Sequence, residues 1–556
     1  MLENILVLLP IGALGVYIYI VRTKESIQKS GIVLAVLFIS AWMMSNQGND
    51  SSILIRLIPF TGLVFSYIFA LYLGLRGGKR KTRNKLTKEQ KSTSFSFTGG
   101  SKDLSIVNPF RGILIVGGAG SGKSRTFMYP IIRQCAEKGF TGVLYDFKSP
   151  ELMNYAELCY NHSGSSVQVQ KIDFKNTLNS QRVNPLSYVQ SAIHATNYTQ
   201  AFIFNLMPEY IQKQDFWSRS MLSIFSGAIW YFRKNEPQLA TLPHIFAFFF
   251  STSANKIVEI LSQDNEIKGY ISSLAEAVEQ GAEKQVAGVL GTLKNAIGIY
   301  NTPDLFWILS KDETNLNVND PANPTMLLVG NNSSLADSYA PLCSLIITVS
   351  SKLMNEPGKE KSTIIVDESP TIYLPNFEQI PATARSNKIA VVVGAQDISQ
   401  MNDKYGRDKT EVLISNLGNQ FYGRTTNKET AERVVKMWGQ QEHIVELSSK
   451  SGGRIGSQIG WYGGGRNKSQ SIQKRDRVKI QKMTTLESGE FAGLLAEGTT
   501  KEFLEQIDLQ RDPPGEIEPT KNSYTLEKAQ QNFEQIYSDI KGFLNRSPDK
   551  SNYEDF

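Results

Sequence analysis

Gly117-Gly118-Ala119-Gly120-Ser121-Gly122-Lys123-Ser124 is the stretch whose reading decides the fold. The apolar run Gly112 to Val116 precedes it, and Arg125-Thr126-Phe127-Met128-Tyr129 follows without a break. Strand, glycine loop and helix start in that order, with G-x-x-x-x-G-K-S spacing, make a phosphate-binding loop. Glycines let the backbone curl until several N–H groups point inward, and the helix N-terminus adds partial positive charge. Lys123 can then reach the β- and γ-phosphates while the Ser124 hydroxyl completes a Mg²⁺ shell. Gly117 to Arg125 are the expected nucleotide-binding residues, with ATP and Mg²⁺ as ligands. An incidental Gly-Lys-Ser in a glycine-rich turn is the blander reading, and the flanking strand and helix argue against it.

Working outward, Gly142 to Lys148 (GVLYDFK) and Val167 to Phe174 read as further strands. Strands alternating with helices predict an α/β fold with a parallel sheet covered on both faces. Asp146 and Lys148 end one strand, where open sheets bind ligands, although a strand-end salt bridge explains them equally well. Thr325 to Gly330 resumes the pattern. Ser362 to Val366 is an apolar strand ending in Asp367-Glu368. Beside a phosphate loop, Asp367 would accept from a Mg²⁺-bound water and Glu368 would deprotonate the attacking water. The strand Ile389 to Gly394 ends in Ala395-Gln396-Asp397. Gln396 is placed to sense the γ-phosphate, the alternative being a hydrogen bond to a neighbouring loop. Arg385 suits an arginine finger reaching across a subunit boundary, or a plain helix-end ion pair. Catalytic candidates are thus Lys123, Glu368, Gln396 and Arg385, and metal candidates Ser124 and Asp367.

Between these halves, residues 191–320 show helical periodicity, interrupted at Pro208, Pro237, Pro243 and Pro303, and predict an all-helical insertion. His194 and His244 have no partner at metal-ligand spacing. The three cysteines, Cys135, Cys159 and Cys343, are far apart and read as buried thiols. At 556 residues and net charge +6, the chain is long for one core and only mildly basic.

Three apolar segments open it, at 5–21, 31–44 and 57–75. Arg22, Lys24 and Lys29 lie in the first connector, and a basic run from Arg76 follows the third segment. Positive-inside logic then favours three spans (residues 1–76) with everything after them cytoplasmic. A two-span hairpin, the short second segment being re-entrant or interfacial, is the alternative and would put the first connector's cations outside. A basic linker (77–101) leads into the nucleotide-binding domain (102–190 and 321–510), where lipid headgroups are its expected contact. The segment 450–482 is rich in Gly and Ser and carries nine cations against Asp476. With Trp461-Tyr462 inside it, Arg454, Trp461, Arg466 and Lys474 are candidates for binding a nucleic-acid strand; a solvated surface loop is the alternative. Regular structure of the nucleotide-binding domain should end with the helix Glu429 to Trp438. The tail (511–556) holds a short amphipathic helix that suits docking of a partner.

In this order the features resemble the TraG/TraD-type coupling ATPases of type IV secretion and conjugation. Carrying the resemblance, beside the phosphate loop and Asp367-Glu368, are Tyr145-Asp146-Phe147-Lys148, Arg182-Val183-Asn184-Pro185-Leu186, Asp215-Phe216-Trp217 and Ala384-Arg385-Ser386. Gly394 to Met401, Lys404-Tyr405-Gly406 and Ser415 to Asn419 complete the series. The resemblance implies a RecA-like P-loop motor with an inserted all-α domain behind N-terminal transmembrane helices, assembled as a homo-hexamer in the bacterial inner membrane with the motor in the cytoplasm. Its implied task is ATP-driven transfer of relaxase-bound single-stranded DNA into a type IV secretion channel, in contact with the relaxosome and channel proteins. Two departures stand out: the family's Gly-Glu after Asp-x-Lys is Ser149-Pro150 here, and three spans rather than two would be less usual. An FtsK/HerA-like DNA pump, a non-hydrolysing membrane receptor or docking platform, and export of a protein effector without DNA are the competing readings.

Overall fold

A computed structural model of the chain describes residues 87–100, 104–450, 466–498, 501–513, 515–517 and 522–546. Among them no helix is long and apolar enough to cross a membrane. The three apolar segments expected to span one lie outside the described residues, as do Arg454 and Trp461.

In chain order the strands are β1 (Phe95–Phe97), β2 (Leu104–Ile106), β3 (Ile113–Val116), β4 (Thr141–Asp146), β5 (Gln168–Asp173), β6 (Thr325–Gly330), β7 (Ser362–Val366), β8 (Ile389–Ala395) and β9 (Asn419–Tyr422), then β10 (Gln440–Lys450), β11 (Arg466–Asp476), β12 (Glu490–Leu494) and β13 (Glu502–Gln506). Nine of them form one sheet in the order β13-β12-β9-β3-β8-β7-β4-β6-β5. From β9 to β5 every pairing is parallel, while β12 runs antiparallel to both β9 and β13. The continuous apolar runs in β3, β7 and β8 are what two covered faces require. Within β3 the period-2 alternation sends Leu114 and Val116 into one core and Ile113 and Ile115 into the other. Helices Tyr129–Glu137 and Glu151–Ser163 cover the second core, and Ala336–Met354 covers the first.

The chain order and the spatial order differ in a way that builds the site. β8 inserts between β3 and β7, so the loops after β3, β7 and β8 emerge side by side at the C-terminal edge of the sheet. Parallel sheets bind ligands at that edge.

Between β5 and β6 the described residues contain helices and no strand. The longest are Ala192–Leu206, Phe216–Asn235, Leu242–Ser251 and Glu283–Ile297. Pro243 and Pro303 sit in the first turns of their helices, where a missing N–H costs nothing. The Arg182-Val183-Asn184-Pro185 motif closes the base of this insertion. Val183 N donates to the Ile308 carbonyl at 2.7 Å, and the Arg182 guanidinium lies 4.0 Å over the Trp307 ring.

Two expectations are corrected. Regular structure does not end at Trp438: β10 and β11 pair from Gln440↔Asp476 to Lys450↔Arg466 as a long antiparallel hairpin, and β12 and β13 extend the main sheet. The polar sequence of β10 and β11 hides the strands, which the cross-strand ladder supports. Arg466 and Lys474 therefore belong to a strand rather than a loop. Nor is the tail helix, Leu526–Arg546, free for a partner. Its apolar face lies on the insertion, with Phe533 at 4.8 Å from Phe306 and Phe543 at 5.3 Å from Phe232, ring centre to ring centre. The Tyr537 hydroxyl donates to Asn301 Oδ1 at 2.7 Å beside them.

Candidate nucleotide site

The phosphate loop leaves β3 and is braced on both sides by backbone. Gly117 N donates to the Ala395 carbonyl at the end of β8, and Gly118 N to the Arg424 carbonyl just past β9. Gly120 and Gly122 have φ of +74° and +89°, left-handed values that only glycine adopts at little cost. That is why the loop can wrap and deliver Lys123 and Ser124 to the start of the following helix. The first turn of that helix is wide, with Tyr129 N bonded to the Ser124 carbonyl.

One cleft is lined by Gly117 to Arg125, Lys148, Glu151, Leu152, Asp367, Glu368 and Gln396. The structure therefore gathers the loop, the acidic pair and the glutamine that sequence reasoning chose. Lys123 Nζ lies 2.9 Å from Glu368 Oε2, with both side chains about nine-tenths buried. The other carboxylate oxygen of Glu368 accepts from Gln396 N at 3.0 Å. Glu368 is thus fixed between the phosphate-binding lysine and the strand-end glutamine. Behind it, Thr371 Oγ1 donates to the Glu368 carbonyl and meets the Tyr145 hydroxyl at 3.0 Å. The Tyr405 hydroxyl donates to the Ile372 carbonyl at 2.7 Å, so the Lys404-Tyr405-Gly406 motif holds the loop after the acidic pair.

Asp367 is buried, and its Oδ1 has no hydrogen-bond partner. Burial pushes its carboxyl up to about 6, against the opposing pull of Lys123. A buried, unpartnered carboxylate oxygen next to the Ser124 hydroxyl's loop is the donor set a hard divalent cation takes when a triphosphate supplies the remaining oxygens. Among the described residues no group of three or more acidic, His or Cys side chains could hold a metal.

Arg125 lines the cleft but faces its rim, where it pairs with Asp512 at 3.1 Å and donates to the Gln510 carbonyl at 3.3 Å. Arg385 follows the helix Ile380–Ala384, is exposed, and is not among the residues lining this chain's own cleft. Asp146 is fully buried and turned away from the cleft's lining. Its carboxylate accepts from the N–H groups of Lys148, Leu152 and Met153 at 3.0, 2.8 and 3.0 Å. It caps the helix Glu151–Ser163, and burial still pushes its carboxyl up to about 7.

Sequence reasoning missed Glu151. It enters the cleft one residue beyond the place where the family carries its glutamate, and the Tyr129 hydroxyl donates to it at 3.2 Å. The shift produced by Ser149-Pro150 was the available signal. His194 and His244 are ordinary polar residues: His244 meets Thr241 Oγ1 at 2.7 Å, and His194 stacks on Tyr198. All three cysteines are buried and free.

Known folds agree with this architecture. The bacterial conjugative coupling protein TrwBdeltaN70, in its unbound monoclinic form, superposes with a TM-score of 0.55 at 14% identity, covering 77% of this chain and 92% of that one. The plasmid coupling protein TrwB in complex with ADP and Mg²⁺ gives 0.55 at 14% identity over 77% and 93%. Its complex with the non-hydrolysable ATP analogue ADPNP gives 0.53 at 13% identity over 73% and 86%. At such identities the likeness establishes the fold alone. No curated protein matches the chain by sequence. The match that establishes kinship is to a family described as type IV secretory system conjugative DNA transfer; it runs over residues 74–488, and the chain belongs to that family.

Proposed function

We propose that this chain is a membrane-anchored ATPase that couples ATP hydrolysis to recruitment and translocation of relaxase-bound single-stranded DNA into a type IV secretion channel. The observation that carries hydrolysis, rather than binding alone, is the position of Glu368. A carboxylate held 2.9 Å from the phosphate-binding Lys123 and backed by Gln396 N is where a base for the attacking water is needed.

Lys123 and the loop N–H groups take the β- and γ-phosphates, and Ser124 and Asp367 would hold Mg²⁺, which when bound would supply neutralisation of phosphate charge. When phosphate oxygens draw Lys123 away, Glu368 loses its ion pair and is free to accept a proton from water. Gln396, just past β8 and so between the loops after β3 and β7, orients that water. Arg385, exposed and outside its own cleft, serves the cleft of a neighbouring subunit in a homo-hexamer.

The DNA cargo, its relaxase, the relaxosome and the channel proteins are taken from family membership. Placement in the bacterial inner membrane, motor in the cytoplasm, rests on the apolar segments at 5–21, 31–44 and 57–75 and on the cations between and after them. The test is steady-state phosphate release by the full-length protein with and without single-stranded DNA, across protein concentrations. The proposal expects a DNA-stimulated rate per chain that rises with concentration and is lost in Arg385→Ala. A rate strictly proportional to enzyme would remove Arg385 from the mechanism, and no hydrolysis at all would leave a nucleotide-binding docking platform.

A further inference from the structure

Three cationic side chains line the cleft: Lys123, Arg125 and Lys148. Lys123 is paired with Glu368, and Arg125 with Asp512. Lys148 has no ion pair among the described residues, although the cleft also holds Glu151, Asp367 and Glu368. We propose that Lys148 is a further catalytic residue, a second ammonium supplied in cis that meets the γ-phosphate across the cleft from Lys123. This inference rests on the ATP-hydrolysing reading above and assigns a new contact within it.

The backbone that carries Lys148 is fixed from several sides. Asp146 takes the N–H groups of Lys148, Leu152 and Met153, so one buried carboxylate spans the whole turn from strand to helix. Ser149 N donates to the Asn331 carbonyl at 3.0 Å, and Ser149 Oγ to Asp173 Oδ2 at 3.2 Å. Phe147 packs against the core on one side of Lys148. What remains free is the lysine side chain itself. A well-braced turn presenting one exposed cation without an ion pair to a phosphate cleft is an arrangement for meeting charge that arrives with a ligand.

Charge balance asks for such a group. Three carboxylates already face the cleft, and a triphosphate adds further negative charge among them. Lys123 must give up Glu368 before it can help, and Arg125 is occupied by Asp512 at the rim. Lys148 is exposed and lines the same cleft as Asp367 and Glu368. Asp146 is then a positioning residue acting through Lys148, which accounts for a buried acid that touches no cleft surface.

The γ-phosphate contact gives the test its readout. Binding of ADP and of a non-hydrolysable ATP analogue, each with Mg²⁺, would be measured by calorimetry on the full-length protein and its variants. Lys148→Ala is expected to weaken the ATP analogue by about 10- to 100-fold, the loss of one charge-assisted contact, and to leave ADP unchanged. Lys148→Arg, which keeps the charge and controls for folding, should recover most of the difference. Equal weakening of both nucleotides, or of neither, in a protein whose parent binds both would overturn the role of Lys148 alone. A parent protein that binds neither nucleotide would overturn this inference together with the ATPase reading.

Discussion

Replacing Glu368 by Gln should split binding from hydrolysis in opposite directions. Lys123 Nζ and Glu368 Oε2 are 2.9 Å apart, and neither side chain is more than 10% exposed. Lys123 can serve the phosphates only by giving up that bond, and a hydrogen bond between charged groups contributes about 1.5–3 kcal/mol. Because about 1.4 kcal/mol is tenfold in affinity, removing the competing charge should tighten ATP binding by about tenfold or more. The amide oxygen of Gln still accepts from Gln396 N, so the loop geometry is kept. Hydrolysis should fall by about 10²- to 10⁴-fold, the usual weight of a positioned general base. A third consequence concerns stability. Breaking a buried pair from one side leaves an uncompensated ammonium and costs up to about 3–5 kcal/mol. Glu368→Gln should therefore melt below the parent without nucleotide and draw level with it when nucleotide is bound. The assays are phosphate release, calorimetric affinity and thermal denaturation on the same samples. Weaker ATP binding combined with an undiminished hydrolysis rate would refute the assignment of Glu368 and the competition for Lys123 together.

Asp367, pushed up to about 6 by burial, holds its proton to higher pH in the folded chain than in the unfolded one. The folded state then binds more protons between about pH 4 and 6, so this group's contribution to nucleotide-free stability falls as pH rises through that window. Asp367→Asn should flatten that part of the melting-temperature profile, and Mg²⁺-dependent nucleotide affinity should rise with pH through 6 in the parent only. A Cβ on Gly394, in β8, would sit 2.0 Å from the carbonyl oxygen of Asp367, the residue just past β7. Gly394→Ala should cost about 1–3 kcal/mol or more in chemical denaturation and abolish nucleotide binding; a silent substitution would show that the β7–β8 spacing is wrong. Phe543, 3% exposed among Tyr231, Phe232 and Phe248, should cost about 3–5 kcal/mol when changed to Ala. A loss below 1 kcal/mol would mean that the C-terminal helix does not rest on the insertion in solution.

What the sequence showed clearly is chemistry of short range. A phosphate loop, its strand and its helix are contiguous, so Gly117 to Ser124 carried their own context. Asp367-Glu368 and Gln396 were legible because each ends an apolar run, and strand ends in a parallel sheet share one edge. Their mutual contact was not legible, since it depends on β8 lying between β3 and β7, a spatial order that differs from chain order. Asp146 shows the opposite failure. A strand-end acid next to a lysine looks like a ligand, but its three backbone N–H partners make it a helix cap, and the residues facing the cleft are Lys148 and Glu151. The hairpin β10–β11 escaped notice because its strands are polar and rich in Ser, Gln and Lys, with little apolar alternation to mark them. In the C-terminal helix the amphipathic face was plain, but an apolar stripe does not say whether its cover is another protein or, as here, residues about 230 to 310 positions earlier in the same chain.

The central claim is that nucleotide hydrolysis in this cleft drives DNA transfer, and it is tested most directly by ATP hydrolysis of the full-length protein with single-stranded DNA added, Glu368→Gln alongside. The account predicts a rate stimulated by DNA in the parent and abolished in the variant, while the variant still binds ATP. Hydrolysis indifferent to DNA, or surviving Glu368→Gln, would contradict it.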